Sequence, residues 1–366
     1  MEAGGETQKG RDAHLHLDVS VEESAPWRGV LALLEKLRPQ WKPADIKLKF
    51  FTEGITNLLM GCSVDGAPGG PGGPGDTVLV RVYGRQTELY VDRDRERQTL
   101  QTLHAHGCGP QLYCSFQNGI CYQFVRGAAL DDTLLRQPAI YRLIATEMAR
   151  LHSIPPRNGS PAQPVLWEKV SEYLHLVQTA EGETPAPQGA PPGVPGLHLL
   201  RNEVETLKKH LAPIASPTVL CHNDLLTKNI IYNQAEGSVR FIDYEYADYN
   251  YQAYDIGNHF NEFAGVENMD YSLYPSVELQ RDWLTAYLQS YKQMQGLAAA
   301  VSNEEVQQLY VKVCKFSLVS HLQWGLWALL QARYSTIDFD FLRYARARFN
   351  YYFKKKDEYF AMKLLD

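Results

Sequence analysis

Cysteine is scarce and poorly spaced for chemistry: the six in 366 residues, at positions 62, 108, 114, 121, 221 and 314, contain no Cys-x-x-Cys pair. That spacing offers neither a zinc-ligand set nor a disulfide framework, and buried reduced thiols are expected instead. Long hydrophobic runs are also missing. A membrane-spanning helix needs about 20 consecutive apolar residues, whereas the most apolar stretch, 316–330, is interrupted by His321 and Gln323 and reads as a core helix. Neither sign of charge dominates: 36 Lys and Arg are mixed with 42 Asp and Glu, for a net charge of −6. There is accordingly no basic stripe of the kind that grips nucleic acid or an anionic membrane. The first residues show no basic segment leading into an apolar one, and Glu2 rather than glycine follows Met1. Neither secretion nor myristoylation is indicated, so a cytosolic protein without nucleic-acid partners or membrane insertion is expected.

What is present is material for a large core. Hydrophobic residues make up 45% of the chain and aromatic ones 11%, enough for one large or two modest domains. Residues 1–25 are polar and aperiodic, which predicts a disordered N-terminus. Val30, Leu31, Leu34 and Leu37 then repeat at helical spacing until Pro39 and Pro43 stop them. Strand character follows at 47–51, 58–64, 77–83, 111–116 and 120–124, with Gln117, Asn118 and Gly119 as the hairpin turn joining the last two. Between the third and fourth strands, Leu89, Arg93, Glu96, Leu100 and Leu103 predict a helix within 87–106. Residues 66–75, nearly all Gly and Pro, carry too little apolar surface to offset the entropy of ordering and predict a mobile loop. Beyond Gly127 the pattern turns helical, at 138–153, 166–178, 197–212, 277–295, 303–332 and 339–355, with a second Pro- and Gly-rich excursion at 181–196. The expected fold class is α+β: a strand-rich lobe at 26–126 carrying one helix, and a larger, mainly helical lobe at 127–360.

The sharpest local signal is C-H-N-D-L-L-T-K-N at 221–229, followed by apolar Ile230 and Ile231, a turn at 233–237, and V-R-F-I-D-Y-E at 239–245. A loop of the form H-x-D-L-x-x-x-N with an aspartate after the next hairpin has the spacing used to transfer a phosphoryl group from ATP. The phosphates of ATP travel with Mg²⁺, a hard ion that prefers oxygen, and Asn229 and Asp243 each offer an oxygen ligand. Asp224, five residues before Asn229, is placed to accept the proton of an acceptor hydroxyl and to align that oxygen for attack. Any one of these residues alone would pass for a polar turn or a strand end. Four matched positions in one strand-loop-strand unit argue for chemistry.

Supporting candidates are spread along the chain. Thr52, Gly54, Thr56 and Asn57 lie between the first two strands, where Gly54 permits close backbone approach and the others add phosphate donors. No G-x-G-x-x-G is present there, and an ordinary hairpin turn would look alike. Arg81, a cation inside an otherwise apolar strand, is the candidate phosphate contact in place of a lysine, with Glu96 as its ion-pair partner. Backbone groups at Gln123 and Val125, where strands give way to helices, are candidates for the adenine edge. Trp324 and Trp327 share a helix face at i, i+3, with Tyr344 on the next helix. Such a stripe is ordinary core unless the substrate is a cation, which aromatic faces attract. Glu262 would then counter the ammonium charge; a primary ammonium has three donors that need carboxylates or carbonyls, whereas a trimethylammonium has none and relies on the cage alone.

Taken together, these residues resemble the choline/ethanolamine kinase family over about residues 27–355. The resemblance is carried by 222–229, by F-I-D-Y-E-Y at 241–246, Y-N-Y at 249–251, D-I-G-N-H-F at 255–260 and W-G-L-W at 324–327. Within the family, F-T-E-G-I-T-N at 51–57 and N-E-F-A-G at 261–265 are similar to the ethanolamine branch, although Leu58 stands where that branch usually has lysine. The resemblance implies a two-lobed fold of the protein-kinase type, ATP and Mg²⁺ as cofactors, and phosphorylation of ethanolamine, the first step of the CDP-ethanolamine route to phosphatidylethanolamine. It further implies Asp224 as base, Asn229 and Asp243 as metal ligands, Arg81 as a phosphate contact, and Glu262, Trp324, Trp327 and Tyr344 as the amino-alcohol pocket. The competing readings are a choline or aminoglycoside kinase and a non-catalytic kinase-like scaffold. A protein kinase is disfavoured by the absence of A-P-E and V-A-I-K segments. Monomer and homodimer both remain open.

Overall fold

A computed structural model describes residues 14–51, 57–64, 76–84, 91–156, 161–183, 192–298, 300–335 and 337–364. The chain divides into two compact units, Met1–Val125 and Arg126–Asp366.

The first unit is built on one sheet. Its elements are β1 (His16–Leu17), α1 (Trp27–Leu37), β2 (Ile46–Phe51), β3 (Leu58–Val64), β4 (Thr77–Val82), α2 (Arg93–Ala105), β5 (Leu112–Phe116) and β6 (Gly119–Gln123). The strand order is β1-β5-β6-β4-β3-β2, antiparallel throughout except for β1, which pairs parallel with β5. Val30, Leu33 and Leu34 of α1 pack with Met60, Val78, Val80 and Cys121 of the sheet in one apolar core.

One expectation needs correcting here. The fold begins before residue 26, because residues 14–25 are tied into the sheet: Val21 is buried, and the Asn118 carboxamide grips its backbone from both sides, at 3.0 Å to the amide and 2.8 Å to the carbonyl. Short segments such as this show no periodicity, and their ordering comes from long-range hydrogen bonds together with Val21, Leu17 and Val19 packed on the apolar core. The helix expected within 87–106 starts at Arg93, where the Asp92 carboxylate caps the amides of Asp94 and Arg95. Residues 85–90 and the Gly/Pro stretch 66–75 lie outside the described residues.

The second unit is helical around small sheets. It contains β7 (Ala128–Ala129), α3 (Pro138–His152), α4 (Leu166–Glu183), α5 (Leu197–Leu211), β8 (Thr218–Cys221), β9 (Ile230–Asn233), β10 (Ser238–Phe241), β11 (Asp248–Tyr251), α6 (Gln252–Asn261), α7 (Val277–Met294), α8 (Asn303–Tyr334) and α9 (Phe341–Ala361). The strands form a β10-β9-β7 sheet and a β11-β8 pair. Of the second excursion, 184–191 lies outside the described residues. Its flanks are structured, with α4 running to Glu183 and Val194 buried.

Helix α8 is buried around its circumference from Val313 to Ala328, as its nearly continuous apolar sequence requires, and α4, α5, α6, α7 and α9 pack about it. A capping box of Ser302 and Glu305 starts it. Lys315, buried within it, donates to the carbonyls of Tyr359 and Phe360 at 2.8 and 3.0 Å, neutralising the negative end of α9. Helix α6, which the sequence pattern does not announce, lies close against α8 at Gly257. A Cβ there would come within 2.8 Å of the Val313 carbonyl, so only glycine permits that approach. Among the described residues no helix is long and apolar enough to cross a membrane.

Candidate active site

The loop after β8 carries His222, Asn223 and Asp224, and its conformation is strained. Asn223 has φ +64°, and Asp243, at the end of the next hairpin, has φ +62°. Both lie in the left-handed region, which costs free energy for a residue with a Cβ and persists only where the surroundings over-determine it. For Asn223 they do. Its Nδ2 donates to the Tyr246 carbonyl at 2.9 Å and its Oδ1 accepts from Asn250 at 2.9 Å.

One face of α6 fixes the loop's backbone. Asp255 accepts the amides of His222 and Asn223 at 2.9 and 2.8 Å, Asn258 donates to the Asn223 carbonyl at 3.1 Å, and His259 Nδ1 donates to the Leu225 carbonyl at 2.9 Å. Burial alone would raise the pKa of Asp255, but its hydrogen bond with His152 and the charges of His152 and His222 outweigh burial and hold the carboxyl below its ordinary value. These three residues were not singled out from sequence for any role. They stand at i, i+3 and i+4, the spacing of one helix face, but that face becomes legible only once the helix itself is known.

His222 ties the loop to the segment carrying Asp243. Its Nε2 donates to the Ile242 carbonyl at 2.9 Å and its Nδ1 accepts the Asp224 amide at 3.3 Å, while the Ile242 amide donates to the Asn229 carbonyl at 3.0 Å. Asn229 Nδ2 donates in turn to the Asp224 carbonyl at 2.9 Å, which leaves its Oδ1 as the ligand end of the carboxamide. Asp224, Asn229 and Asp243 are thus braced against one another by short backbone links. Asp224 has its pKa pushed well above the usual carboxylate range, first by desolvation and then by the negative charges of Glu262, Asp243 and Glu245. Such a gathering of carboxylate and carboxamide oxygens suits a hard divalent cation.

Beyond the loop lies an aromatic cluster. Trp324 and Trp327 meet edge to face with centroids 5.5 Å apart, and Trp327 meets Tyr344 at 6.4 Å. Tyr246, missed from sequence, adds a ring against Trp324 at 5.4 Å. Glu262 needs a correction. The sequence reading makes it a counter-charge for an ammonium, yet Arg348 of α9, also missed, already neutralises it: the two are both buried and paired at 2.8 Å through Oε1. What Glu262 retains for a ligand is its second carboxylate oxygen as a hydrogen-bond acceptor.

In the first unit, the expected ion pair of Arg81 with Glu96 is present and buried. Arg93, a third member not foreseen, bonds the other Glu96 oxygen at 2.9 Å and reaches Asn57 at 3.4 Å. Asn57 also accepts the Gly84 amide at 3.2 Å, so it braces the end of β4. Gln123 closes β6, its side chain accepting the Gln111 amide at 3.3 Å, and Val125 follows in irregular backbone. Thr52, Gly54 and Thr56 lie outside the described residues.

The buried imidazoles give stability a pH dependence. Desolvation depresses His222, His259, which falls to about 4, and His321 from the ordinary 6.5. With folded-state values below 6.5 the unfolded chain binds more protons, so each contribution is full above 6.5 and is lost as pH falls below it. Neither nitrogen of His321 has a hydrogen-bond partner among the described residues, which makes it the clean probe. His321→Leu is expected to gain about 1 kcal/mol relative to the parent between pH 6.5 and 5.5, read from paired urea melts. A constant difference would show that the imidazole titrates normally.

Comparison with known proteins agrees with this geometry. Residues 48–353 match the model of the choline/ethanolamine kinase family. The chain is 50% identical to human ethanolamine kinase 1 over 351 residues, covering 95% of this chain and 76% of the relative. Among solved structures, an ethanolamine kinase from Plasmodium vivax superposes with a TM-score of 0.76 at 27% identity, covering 90% of this chain and 89% of the other. A choline kinase from Cryptosporidium parvum gives 0.75 at 25% identity, covering 90% and 95%. Fold alone therefore does not separate the two acceptors, whereas the 50% identity lies with an ethanolamine kinase. A pinned H-x-D-L-x-x-x-N loop, an aspartate after the following hairpin and a match over residues 48–353 place this chain in the choline/ethanolamine kinase family.

Proposed function

We propose that the chain transfers the γ-phosphoryl group of ATP to the hydroxyl of ethanolamine, giving phosphoethanolamine and ADP, the first step of the CDP-ethanolamine route to phosphatidylethanolamine. The observation that carries this reading is the 50% identity to human ethanolamine kinase 1 over 95% of the chain. Asp224 accepts the hydroxyl proton and holds the oxygen in line. Because the phosphoryl-transfer transition state is loose, orientation matters more than basicity. Asn229 and Asp243 would hold Mg²⁺, which would offset the phosphate charge. Arg81, kept rigid by Glu96, contacts phosphate, with Asn57, Thr52, Gly54 and Thr56 as further nucleotide contacts and the backbone at Gln123 and Val125 for adenine.

The ammonium group of the acceptor rests against Trp324, Trp327 and Tyr344 and donates to Glu262. An aromatic cage would also take a trimethylammonium, but a site built to accept N–H bonds can reject an analogue lacking them by about 10⁴-fold. The working place of such an enzyme is the cytosol. The test is ADP release with Mg²⁺-ATP and ethanolamine, choline or an aminoglycoside. Ethanolamine is expected to give the highest kcat/KM; preference for choline would overturn the acceptor, and nucleotide binding without turnover would favour the scaffold.

A further inference from the structure

Asn258 stands between the aromatic cluster and the catalytic loop and is bonded to both. Its Oδ1 accepts the Trp324 indole N–H at 2.9 Å and the Ser320 hydroxyl at 2.7 Å, and its Nδ2 donates to the Asn223 carbonyl at 3.1 Å. An indole N–H only donates and a backbone carbonyl only accepts, so the orientation of the carboxamide is forced. Ser320 is equally committed. Its one hydrogen goes to Asn258, while its oxygen accepts from Arg348 at 2.8 Å and from Asn261 at 3.1 Å. Arg348 in turn holds Glu262. All of these side chains are buried, so water does not compete for the bonds.

The far end of this chain is the sensitive one. The Asn223 carbonyl and the Asp224 amide belong to one planar peptide unit, and Asn223 already sits at φ +64°. A tilt of that peptide therefore moves Asp224. We propose that Asn258 is a positioning residue that couples occupancy of the amino-alcohol pocket to the placement of Asp224. An ammonium drawn against Trp324 fixes the indole, the indole fixes the carboxamide, and the carboxamide fixes the peptide that carries the base. The proposal rests on the amino-alcohol kinase reading and adds to it a residue that touches neither substrate.

The test is a double-mutant cycle on ethanolamine phosphorylation. Trp324→Phe keeps a ring and removes the N–H; Asn258→Asp keeps the acceptors and removes the donor to Asn223. A displacement of about 1 Å can cost about 100-fold in rate, so each variant is expected to lose at least about tenfold in kcat per nucleotide-binding site, with KM for ATP unchanged. The double variant should lose no more than the worse single one, because both break the same connection. A purely structural role would lower melting temperature and the binding-competent fraction but leave kcat per site intact, and that result would overturn the proposal. Losses that multiply in the double variant would overturn it too. Should Asn258→Asp fold poorly, Asn258→Ser, which also removes the carboxamide donor to the Asn223 carbonyl, replaces it in the same cycle. Wild-type turnover, measured first, separates the two failures: an enzyme idle with every amino alcohol sinks the functional reading and the coupling together, whereas an active enzyme with uncoupled variants sinks only the coupling.

Discussion

In Asp224→Asn, ethanolamine turnover is expected to fall about 10³-fold, within the range that a positioned base contributes, while the nucleotide-free protein melts higher than the parent. The two effects share a cause. Asp224 lies among Glu262, Asp243 and Glu245, and burial with those charges raises its pKa well above 3.8. A raised carboxyl binds its proton more readily in the folded state, so stability declines as pH climbs from 3.8 to the folded value and the full penalty persists above it. The carboxamide is nearly isosteric and carries no charge. Removing the penalty should lift the melting temperature by about 2 °C or more when metal and nucleotide are absent, with the gain shrinking as pH drops into that window. The backbone bonds of Asp224 to His222 and Asn229 survive the substitution, so nucleotide binding should too. Calorimetric melts beside the ADP assay read both quantities. Retained turnover would remove Asp224 as the base, and an unchanged melting temperature would show that the acidic cluster is not under electrostatic strain.

Much of this candidate site was legible from sequence because a loop of this kind carries its proposed chemistry in residue type and local spacing. Asp224, Asn229 and Asp243 follow from one stretch of about two dozen residues, and Arg81 stood out as a cation inside an apolar strand. What could not be read were the partners contributed from a distance. Arg348 is 86 residues from Glu262, and its role depends on how α9 packs along α8, which no local pattern states. Asp255, Asn258 and His259 lie closer in sequence, but α6 is short and rich in Asn, His and Gly, so it gives little helical signal. Its helicity comes from packing on α8 through Gly257, a tertiary override of weak propensity. The same logic explains the N-terminus: residues 14–25 show no periodicity and are ordered by Asn118 and β5.

Arg348→Met isolates the other large electrostatic commitment of the second unit. Arg348 is 0% exposed and Glu262 4%, so removing the guanidinium leaves a buried carboxylate without its cation, a change that typically costs about 3–5 kcal/mol. The melting temperature should fall by about 10 °C. Replacing both partners by neutral groups of similar size is far less costly than breaking the pair, so Arg348→Met with Glu262→Gln should recover most of the loss. Function should not recover with it. Without the carboxylate, the pocket keeps its aromatic rings but loses the strong acceptor for a primary ammonium. In the double variant KM for ethanolamine is therefore expected to rise about tenfold or more while KM for choline changes little, narrowing the ratio between the two acceptors. A double variant as unstable as Arg348→Met alone would assign the loss to the missing bonds with Ser320 rather than to the stranded charge. An ethanolamine KM that stays at the parental value would take Glu262 out of the acceptor site and leave recognition to the aromatic rings.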